Sequence, residues 1–263
     1  MDIAEYNRRA WDAQVAKGNR WTVPVTSEII ASARLGLWSV VLTPQKPVPT
    51  EWFPKMSGLD VLGLASAGGQ QAPVFAAAGA KVTVIDNSAR QLKQDQIVAE
   101  RDGLQIESVL GDMRDLSDFQ SESFDLVFNP CSASFIPAVQ KMFDEAYRVL
   151  RPGGLMMCGF VNPLRFICDE DKLKTRNLAV RHRLPYADDT HLNAKELNQL
   201  RADGEPFMFS HSLEKLIGGP LRSGFILRDL FEDSEEADEL SAFLPTYPSV
   251  PMIGETPALS LLE

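Results

Sequence analysis

The sequence is poor in cysteine and in histidine, with three residues of each among 263. Cys131, Cys158 and Cys168 have neither the even number of a disulfide framework nor the spacing of a metal site. We therefore expect three reduced thiols in a cytoplasmic protein, and no metal ion at the functional site.

Long apolar segments and positive charge are also lacking. No apolar window reaches the roughly 18 residues of a membrane helix, and the first residues are acidic rather than typical of a signal segment. Lys and Arg number 26 against 36 Asp and Glu, which gives a formal net charge of −10. Because nucleic acids bind basic surfaces, a nucleic acid is not expected as a partner. Because no long apolar segment is present, a membrane is not expected either. The sequence leaves the oligomeric state open.

What remains is the composition of a folded protein, with 44% hydrophobic and 24% charged residues. The length allows one domain with an elaboration. We expect an N-terminal arm over 1–57, a core over 58–161, an inserted cap over 162–206, and the C-terminal part of the core sheet over 207–263.

Apolar runs alternate with helical patterns through the predicted core. The runs that predict its five strands cover 60–64, 81–85, 106–110, 124–128 and 155–161. This alternation predicts an α/β fold of the Rossmann-like, doubly wound type, in which helices cover both faces of a mostly parallel sheet. A helix over 212–221 and strands over 225–230 and 250–253 complete the expected sheet, although Pro251 interrupts the last of these.

The first of these strands leads into a turn of small residues. The dinucleotide fingerprint would place glycine at 65, 67 and 70, where this chain has Ala65, Ala67 and Gln70. The second strand ends in Asp86, nineteen residues after Ala67. An acid at that place accepts hydrogen bonds from the ribose hydroxyls of an adenosine cofactor.

Three further motifs follow in order: Gly111-Asp112-Met113, the strand Phe124–Phe128, and Arg148-Val149-Leu150-Arg151-Pro152-Gly153-Gly154. This succession resembles the class I S-adenosylmethionine-dependent methyltransferases, specifically the type 11-like branch of small-molecule enzymes. The resemblance is strong over 58–161 and looser over 207–231. The family's turn reads D-x-G-x-G-x-G, and here its acidic position falls on Gly63 and its glycine positions on Ala65, Ala67 and Gly69.

The resemblance implies S-adenosylmethionine as the cofactor and a small molecule as the methyl acceptor. The residues that it implies at the cofactor site are Ala65, Ser66, Ala67, Gly68, Gly69, Asp86, Asn87, Asp112, Met113 and Asn129. The small residues of the turn leave room for the amino-acid tail of the cofactor. By the same resemblance, Asp112 and the Met113 backbone N–H bind the adenine, and the Asn129 backbone carbonyl binds the methionyl ammonium.

No residue is assigned to catalysis. The leaving group of a sulfonium is already activated, so alignment and exclusion of water can supply most of the rate. His182, His191 and His211 have the chemistry of a base, but an exposed or structurally bonded histidine is favoured for each. A nicotinamide-dependent oxidoreductase and a non-catalytic cofactor-binding module stay open as alternatives.

The arm carries large aromatic residues, Tyr6, Trp11 and Trp21, in a segment too short to form a core of its own. They must pack on the domain. One interpretation is that they only attach the arm to the back of the domain. The other is that the arm and the cap together cover the crevice.

Overall fold

The computed structural model describes residues 2–236 and 239–254. In that part of the chain the helices are α1 Ile3–Lys17, α2 Ser27–Arg34, α3 Gln71–Ala77, α4 Ala89–Asp102, α5 Val139–Val149, α6 Glu170–Leu173, α7 Asp188–His191, α8 Ala194–Ala202, α9 Leu213–Leu216 and α10 Gly218–Ser223. The strands are β1 Asp60–Leu64, β2 Lys81–Asp86, β3 Ile106–Leu110, β4 Phe124–Asn129, β5 Leu150–Gly159, β6 Phe225–Leu227, β7 Phe231–Asp233 and β8 Tyr247–Gly254.

Within the described residues the eight strands form one sheet in the order β3-β2-β1-β4-β5-β8-β6, with β7 also paired to β8. The strands from β1 to β5 run parallel, and β8 is antiparallel to its neighbours. The Rossmann-like, doubly wound fold is therefore confirmed. The order reverses between β1 and β4, which is where ligands bind in such sheets.

Two apolar cores lie against the sheet, one on each face. Alternate residues of a strand point to opposite faces, and Val61 and Leu62 accordingly belong to different clusters. The first cluster includes Phe143 of α5, and the second includes Phe75 of α3. The predicted helical cover on both faces is thus explained by inner strands that bury apolar residues on both faces, as Leu126 and Val127 of β4 do.

The strand around Pro251 is confirmed and occupies an inner position, opposite Met157 of β5. The Pro251 carbonyl accepts a hydrogen bond from Arg228 N at 3.1 Å, just beyond the end of β6. In a strand the N and the carbonyl of one residue face the same side. The missing N–H of Pro251 therefore faces the short outer strand and leaves the pairing with β5 intact.

Several element boundaries differ from the sequence-based expectation. The helix expected over 212–221 is two short helices, because Gly218, Gly219 and Pro220 disfavour a continuous one. The strand expected over 225–230 ends at Leu227. In β5 the residues of the R-P-G-G motif form a bulge, since Leu150 and Leu155 pair with Phe124 and Leu126 of β4.

The arm packs closely on the α3 side of the sheet. Its helix α2, which the sequence analysis did not predict, buries Ile30 in the second core. Leu42 of the arm lies over β5, where a Cβ built on Gly159 would come within 2.2 Å of the Leu42 carbonyl oxygen. The first 57 residues therefore share a core with the sheet, and the four-region division stays a prediction.

Two of the sequence motifs meet at the end of the sheet that is opposite the carboxyl ends of the strands. Arg151 pairs with Asp60 of β1 at 2.9 Å and with Asp125 of β4 at 2.8 Å. Asp125 also accepts a hydrogen bond from Asp60 N at 2.9 Å. These family signatures consequently serve to join strands and not to bind a ligand.

Replacing Arg151 with alanine is expected to lower the free energy of unfolding by about 0.5–1 kcal/mol, because the ion pairs are partly exposed. The affinity for S-adenosylhomocysteine should stay unchanged. Chemical denaturation and calorimetry test the two parts. A large loss of affinity would contradict the structural role assigned to this motif.

Candidate functional site

One cavity of about 270 Å³ opens at the carboxyl ends of β1, β2, β3 and β4. Seven of the ten predicted site residues line it: Ala65, Ser66, Ala67, Asp86, Asn87, Asp112 and Met113. The loops after these four strands therefore face one crevice, which is where parallel sheets bind ligands. Gly68, Gly69 and Asn129 lie outside the lining.

The turn after β1 is fixed from several sides. Ala65 adopts a left-handed φ of 47° and donates its N–H to the Ile85 carbonyl at 2.8 Å. Gly68 and Gly69 also have positive φ, and a Cβ on them would meet the arm at Trp21 O and at Pro24. These glycines allow the close approach of the arm, a role that their spacing alone did not indicate.

Asp95 of α4 supports the turn from below. Its Oδ1 accepts the Gly69 N–H at 2.9 Å, while its Oδ2 has no hydrogen-bond partner among the described residues. Burial raises the pKa of Asp95 well above its usual value, and the bond from Gly69 acts in the opposite direction. A carboxyl in this setting holds the backbone of the turn and is not in the cavity lining.

Asp86 ends β2 and is buried in the cavity wall. Its Oδ1 accepts the Ser88 N–H at 2.9 Å. Burial raises the pKa of Asp86 to about 6, against bonds from the Ser88 and Ala67 backbone that lower it, and Asp12 of the arm raises it further. The Asp86 carboxyl therefore changes charge at a higher pH than an ordinary aspartate, near pH 6.

Asp112 follows β3 and is held by Arg114, a cavity residue that the sequence analysis missed. The Arg114 guanidinium donates to both carboxylate oxygens of Asp112, from Nε at 2.9 Å and from Nη2 at 2.5 Å. Burial tends to raise the pKa of Asp112, but these bonds and the Arg114 charge bring it below the usual value. Arg114 directly follows the predicted site residue Met113, and this adjacency is the sequence feature that could have indicated its place in the cavity.

Asn129 ends β4, and its side chain is fully buried. It donates to the Leu64 carbonyl at 2.7 Å and to Ser132 Oγ at 2.5 Å. The side chain thus ties the end of β1 to the loop after β4. The predicted contact of its backbone carbonyl with an ammonium stays a prediction.

The arm forms one wall of the cavity, to which Trp11 and Trp21 both contribute. Gln70 Nε2 donates to the carbonyls of Arg20 at 2.8 Å and Val23 at 3.2 Å, which fastens the arm to the turn. Trp11 packs edge-on against Phe135, with ring centroids 5.0 Å apart. The arm therefore covers the crevice, as the second interpretation proposed.

The inserted cap over 162–206 contributes no described residue to the lining, contrary to the other half of that interpretation. Its end contacts α1 from outside: Tyr6 donates to the Glu205 carbonyl at 3.1 Å, and Gln14 donates to the Gly204 carbonyl at 3.1 Å. The insertion supports the arm, and the arm in turn covers the site.

The run from Glu232 to Glu239 is acidic, and runs of this kind usually face solvent. The structure instead buries Asp233, which accepts the Lys46 N–H at 2.8 Å. Glu235 lines the cavity, pairs with Arg20 of the arm and accepts from the Tyr247 hydroxyl at 3.2 Å. The charge of the run does not reveal which of its residues are buried, because their partners lie far away in the sequence. Residues 237 and 238 of the run fall outside the described residues.

The histidines have structural surroundings and none lines the cavity. His211 is buried, with Nε2 3.0 Å from the Ala133 carbonyl oxygen. His182 and His191 pack against Tyr186, each with ring centroids 5.0 Å apart. The structural interpretation of all three is supported by this geometry.

The described residues include no group of three or more His, Cys, Asp or Glu side chains placed to hold a metal ion. Cys131, Cys158 and Cys168 are free thiols. Across residues 2–236 and 239–254, the structure has no helix with the length and apolarity needed to cross a membrane.

Comparisons with known proteins agree with this geometry. The family described as "Methyltransferase domain" matches residues 62–158. The chain is 47% identical to the "Uncharacterized methyltransferase YbaJ" of Bacillus subtilis, over 88% of this chain and 91% of that protein. The chain belongs to the class I S-adenosylmethionine-dependent methyltransferases.

Solved structures show the same fold at low identity. An S-adenosylmethionine-dependent methyltransferase from Mesorhizobium loti is 17% identical with a TM-score of 0.59, covering 77% of this chain and 94% of that one. A 1,6-didemethyltoxoflavin-N1-methyltransferase from Burkholderia thailandensis is 13% identical with a TM-score of 0.60, covering 97% of this chain and 89% of that one. These likenesses concern the fold.

The cavity residues fit the methyltransferase cofactor. Asp86 presents a carboxyl at the end of β2, and the small residues Ala65, Ser66 and Ala67 of the turn after β1 line the cavity with it. Small residues at a turn leave space for the close approach of a ligand. The S-adenosylmethionine dependence of the family therefore has a matching set of groups here.

Proposed function

We propose that this methyltransferase acts on a small-molecule acceptor, bound in the half of the cavity that lies beyond the cofactor. The observation that supports this most is the cavity of about 270 Å³ at the carboxyl ends of the strands, just below the roughly 300–1,000 Å³ typical of ligand pockets. A cavity of this size, covered by the arm, suits a small acceptor and not a nucleic acid. The net charge of −10 argues the same way.

The two halves of the cavity follow from the sheet. Residues after β1, β2 and β3 offer the groups expected to bind the cofactor, with Asp86 toward the ribose and Asp112 with Met113 toward the adenine. The other half lies near the ends of β4 and β5 and the start of β8, where Cys131, Val161 and Tyr247 contribute to the wall. We assign the acceptor to this half.

S-adenosylmethionine, when bound, would supply a methyl group on a sulfonium, whose sulfur departs as a neutral thioether without further activation. The chain then has to align the acceptor with that methyl and exclude water. Trp11 and Trp21 close the cavity on the arm side. Glu235 is the one carboxylate of the described lining that lies by the acceptor half, and its contacts with Arg20 and Tyr247 hold it in place. No catalytic base is assigned.

The B. thailandensis structure contains 1,6-didemethyltoxoflavin and S-adenosylhomocysteine, a small acceptor beside the spent cofactor. For this chain we propose only that the acceptor is likewise a small molecule. A cytoplasmic location likewise belongs to the proposal, and the three free thiols support it.

Calorimetry with S-adenosylhomocysteine and with NAD tests the cofactor assignment. We expect S-adenosylhomocysteine to bind and NAD to bind far more weakly, because the turn lacks the dinucleotide fingerprint. Tighter binding of NAD would refute the assignment. Transfer of a labelled methyl group to pooled small molecules then tests turnover, and its absence across broad pools would favour the non-catalytic module.

A further inference from the structure

The cavity wall carries more negative than positive side chains. Among the described residues of the lining, the charged ones are Asp86, Asp112, Arg114 and Glu235, and none is a lysine or a histidine. Arg114 is the one cation of this described set, and its guanidinium already donates to both carboxylate oxygens of Asp112. A negatively charged acceptor would therefore find no free positive partner in the described lining, and an unpaired charge is costly to bury.

The strands that flank Glu235 place it in the acceptor half of the cavity. Glu235 follows β7, which pairs with β8 so that Asp233 lies opposite Tyr247 at the start of β8. The strand β8 in turn pairs with β5, which ends shortly before the lining residue Val161. Glu235 therefore lies on the β5 and β8 side of the crevice, away from the ends of β2 and β3, where the ribose and the adenine are expected.

The carboxylate of Glu235 is held in one position but keeps capacity for another donor. Its Oε1 pairs with Arg20, its Oε2 accepts from the Tyr247 hydroxyl at 3.2 Å, and its backbone N–H donates to Ser241 Oγ at 3.0 Å. An ionised carboxylate has about four acceptor positions, two on each oxygen. Since Arg20 and Tyr247 use one position on each oxygen, and the side chain is 14% exposed, a donor in the cavity can bind a remaining position.

The surroundings of Cys131, another lining residue of this half, show that the electrostatic potential here is negative. Burial raises the pKa of the Cys131 thiol, and the negative charges of Asp233 and Glu235 raise it further. Carboxylates that disfavour a thiolate also disfavour any other anion at the same place. They favour a positive group or the positive end of an N–H or O–H bond.

We propose that Glu235 determines the class of acceptor: a small molecule without negative charge that donates an N–H or O–H hydrogen bond to this carboxylate. This inference rests on the function proposed above and names the acceptor class that the function leaves open. Glu235 is a specificity-determining residue in this role, and no proton transfer is assigned to it. Specificity of this kind has an attractive and a repulsive part. The hydrogen bond selects the donor, and the negative wall excludes carboxylates and phosphates.

Separation of acceptors by charge provides the first test. A deproteinised cell extract is divided by ion exchange into anionic, neutral and cationic fractions, and each is incubated with the protein and S-adenosylmethionine labelled in its methyl group. We expect transfer of label in the neutral or the cationic fraction and only the blank level in the anionic one. Transfer in the anionic fraction that equals or exceeds the others would overturn the inference. If the protein binds S-adenosylhomocysteine but transfers label in no fraction, the proposed function itself fails.

Glu235→Gln tests the residue itself, since it keeps the shape of the side chain and removes the charge. At limiting acceptor it should lower transfer in the active fraction about tenfold, because charge-assisted hydrogen bonds are the stronger ones. Its affinity for S-adenosylhomocysteine should stay within about twofold, and thermal unfolding shows whether the variant is folded. Glu232→Gln is the matched control, because Glu232 is an exposed residue of β7 outside the lining, and it should change neither quantity. Unchanged transfer by Glu235→Gln would overturn the inference.

Arg20→Ala separates recognition of the acceptor from attachment of the arm. It breaks the same ion pair, keeps Glu235 and removes a side chain that is not part of the lining. Because Arg20 is half exposed and exposed ion pairs contribute little, transfer should fall by about threefold at most. If Arg20→Ala instead loses as much transfer as Glu235→Gln, Glu235 acts by fastening the arm, and its assignment to the acceptor is wrong.

Discussion

Asp86→Ala is expected to weaken S-adenosylhomocysteine by about 1.5–3 kcal/mol at neutral pH, because the carboxylate would accept charge-assisted hydrogen bonds from the ribose hydroxyls. Asp86→Asn keeps one acceptor oxygen and separates the loss of charge from the loss of the group. Calorimetry measures the affinities, and thermal unfolding of the free variants shows whether they are folded. Unchanged affinity in both variants would mean that the ribose is held elsewhere.

The affinity should also depend on pH through this one residue. The pKa of Asp86 in the free protein is raised from 3.8 to about 6, chiefly by burial. The ionised carboxyl binds the ribose better, so the affinity for S-adenosylhomocysteine should fall as the pH drops through about 6. Asp86→Asn should remove this dependence.

Stability of the free protein should respond in the opposite sense. A carboxyl with a raised pKa in the folded state favours folding when it is protonated. The contribution of Asp86 is therefore present in full below pH 3.8 and is lost as the pH rises through about 6. For the affinity, a pH profile that is the same in Asp86→Asn as in the unmodified protein would show that another group titrates.

Much of the fold could be predicted from local sequence signals. The strands β1 and β3 begin and end where their apolar runs do, and α4 begins at a local cap in which Ser88 Oγ accepts the Gln91 N–H. These features depend on neighbouring residues. The helix α2 was not predicted, because it is only eight residues long and has no side-chain cap.

The site was only partly predictable for the same reason. Asp86 and Asp112 follow strands in a recognisable order, so their place at one crevice could be inferred from parallel topology. The wall formed by Thr43, Glu235 and Tyr247 depends on segments far apart in sequence. Such contacts leave no spacing signal, and the acidic surroundings of Glu235 even favoured a solvent-facing interpretation.

The arm leads to the other large expected effect, a change of tryptophan emission when S-adenosylhomocysteine binds. Trp11 and Trp21 line the cavity, and Arg20 lies over the Trp21 ring at 4.2 Å from its centroid. A ligand in the cavity replaces water beside both rings. We expect that Trp11→Phe and Trp21→Phe together remove most of the emission change.

The remaining tryptophans provide the control, because neither belongs to the cavity lining. Trp38 packs edge-on against Phe53 at 5.0 Å, and Trp52 stacks on Phe231 at 5.1 Å. Their replacement by phenylalanine should leave the change on binding intact, while phenylalanine at 11 and 21 preserves most of the apolar contact area of the arm. If the emission change instead survives at 11 and 21 and disappears at 38 and 52, the cofactor does not bind beneath the arm, and the cover that excludes water must come from another segment.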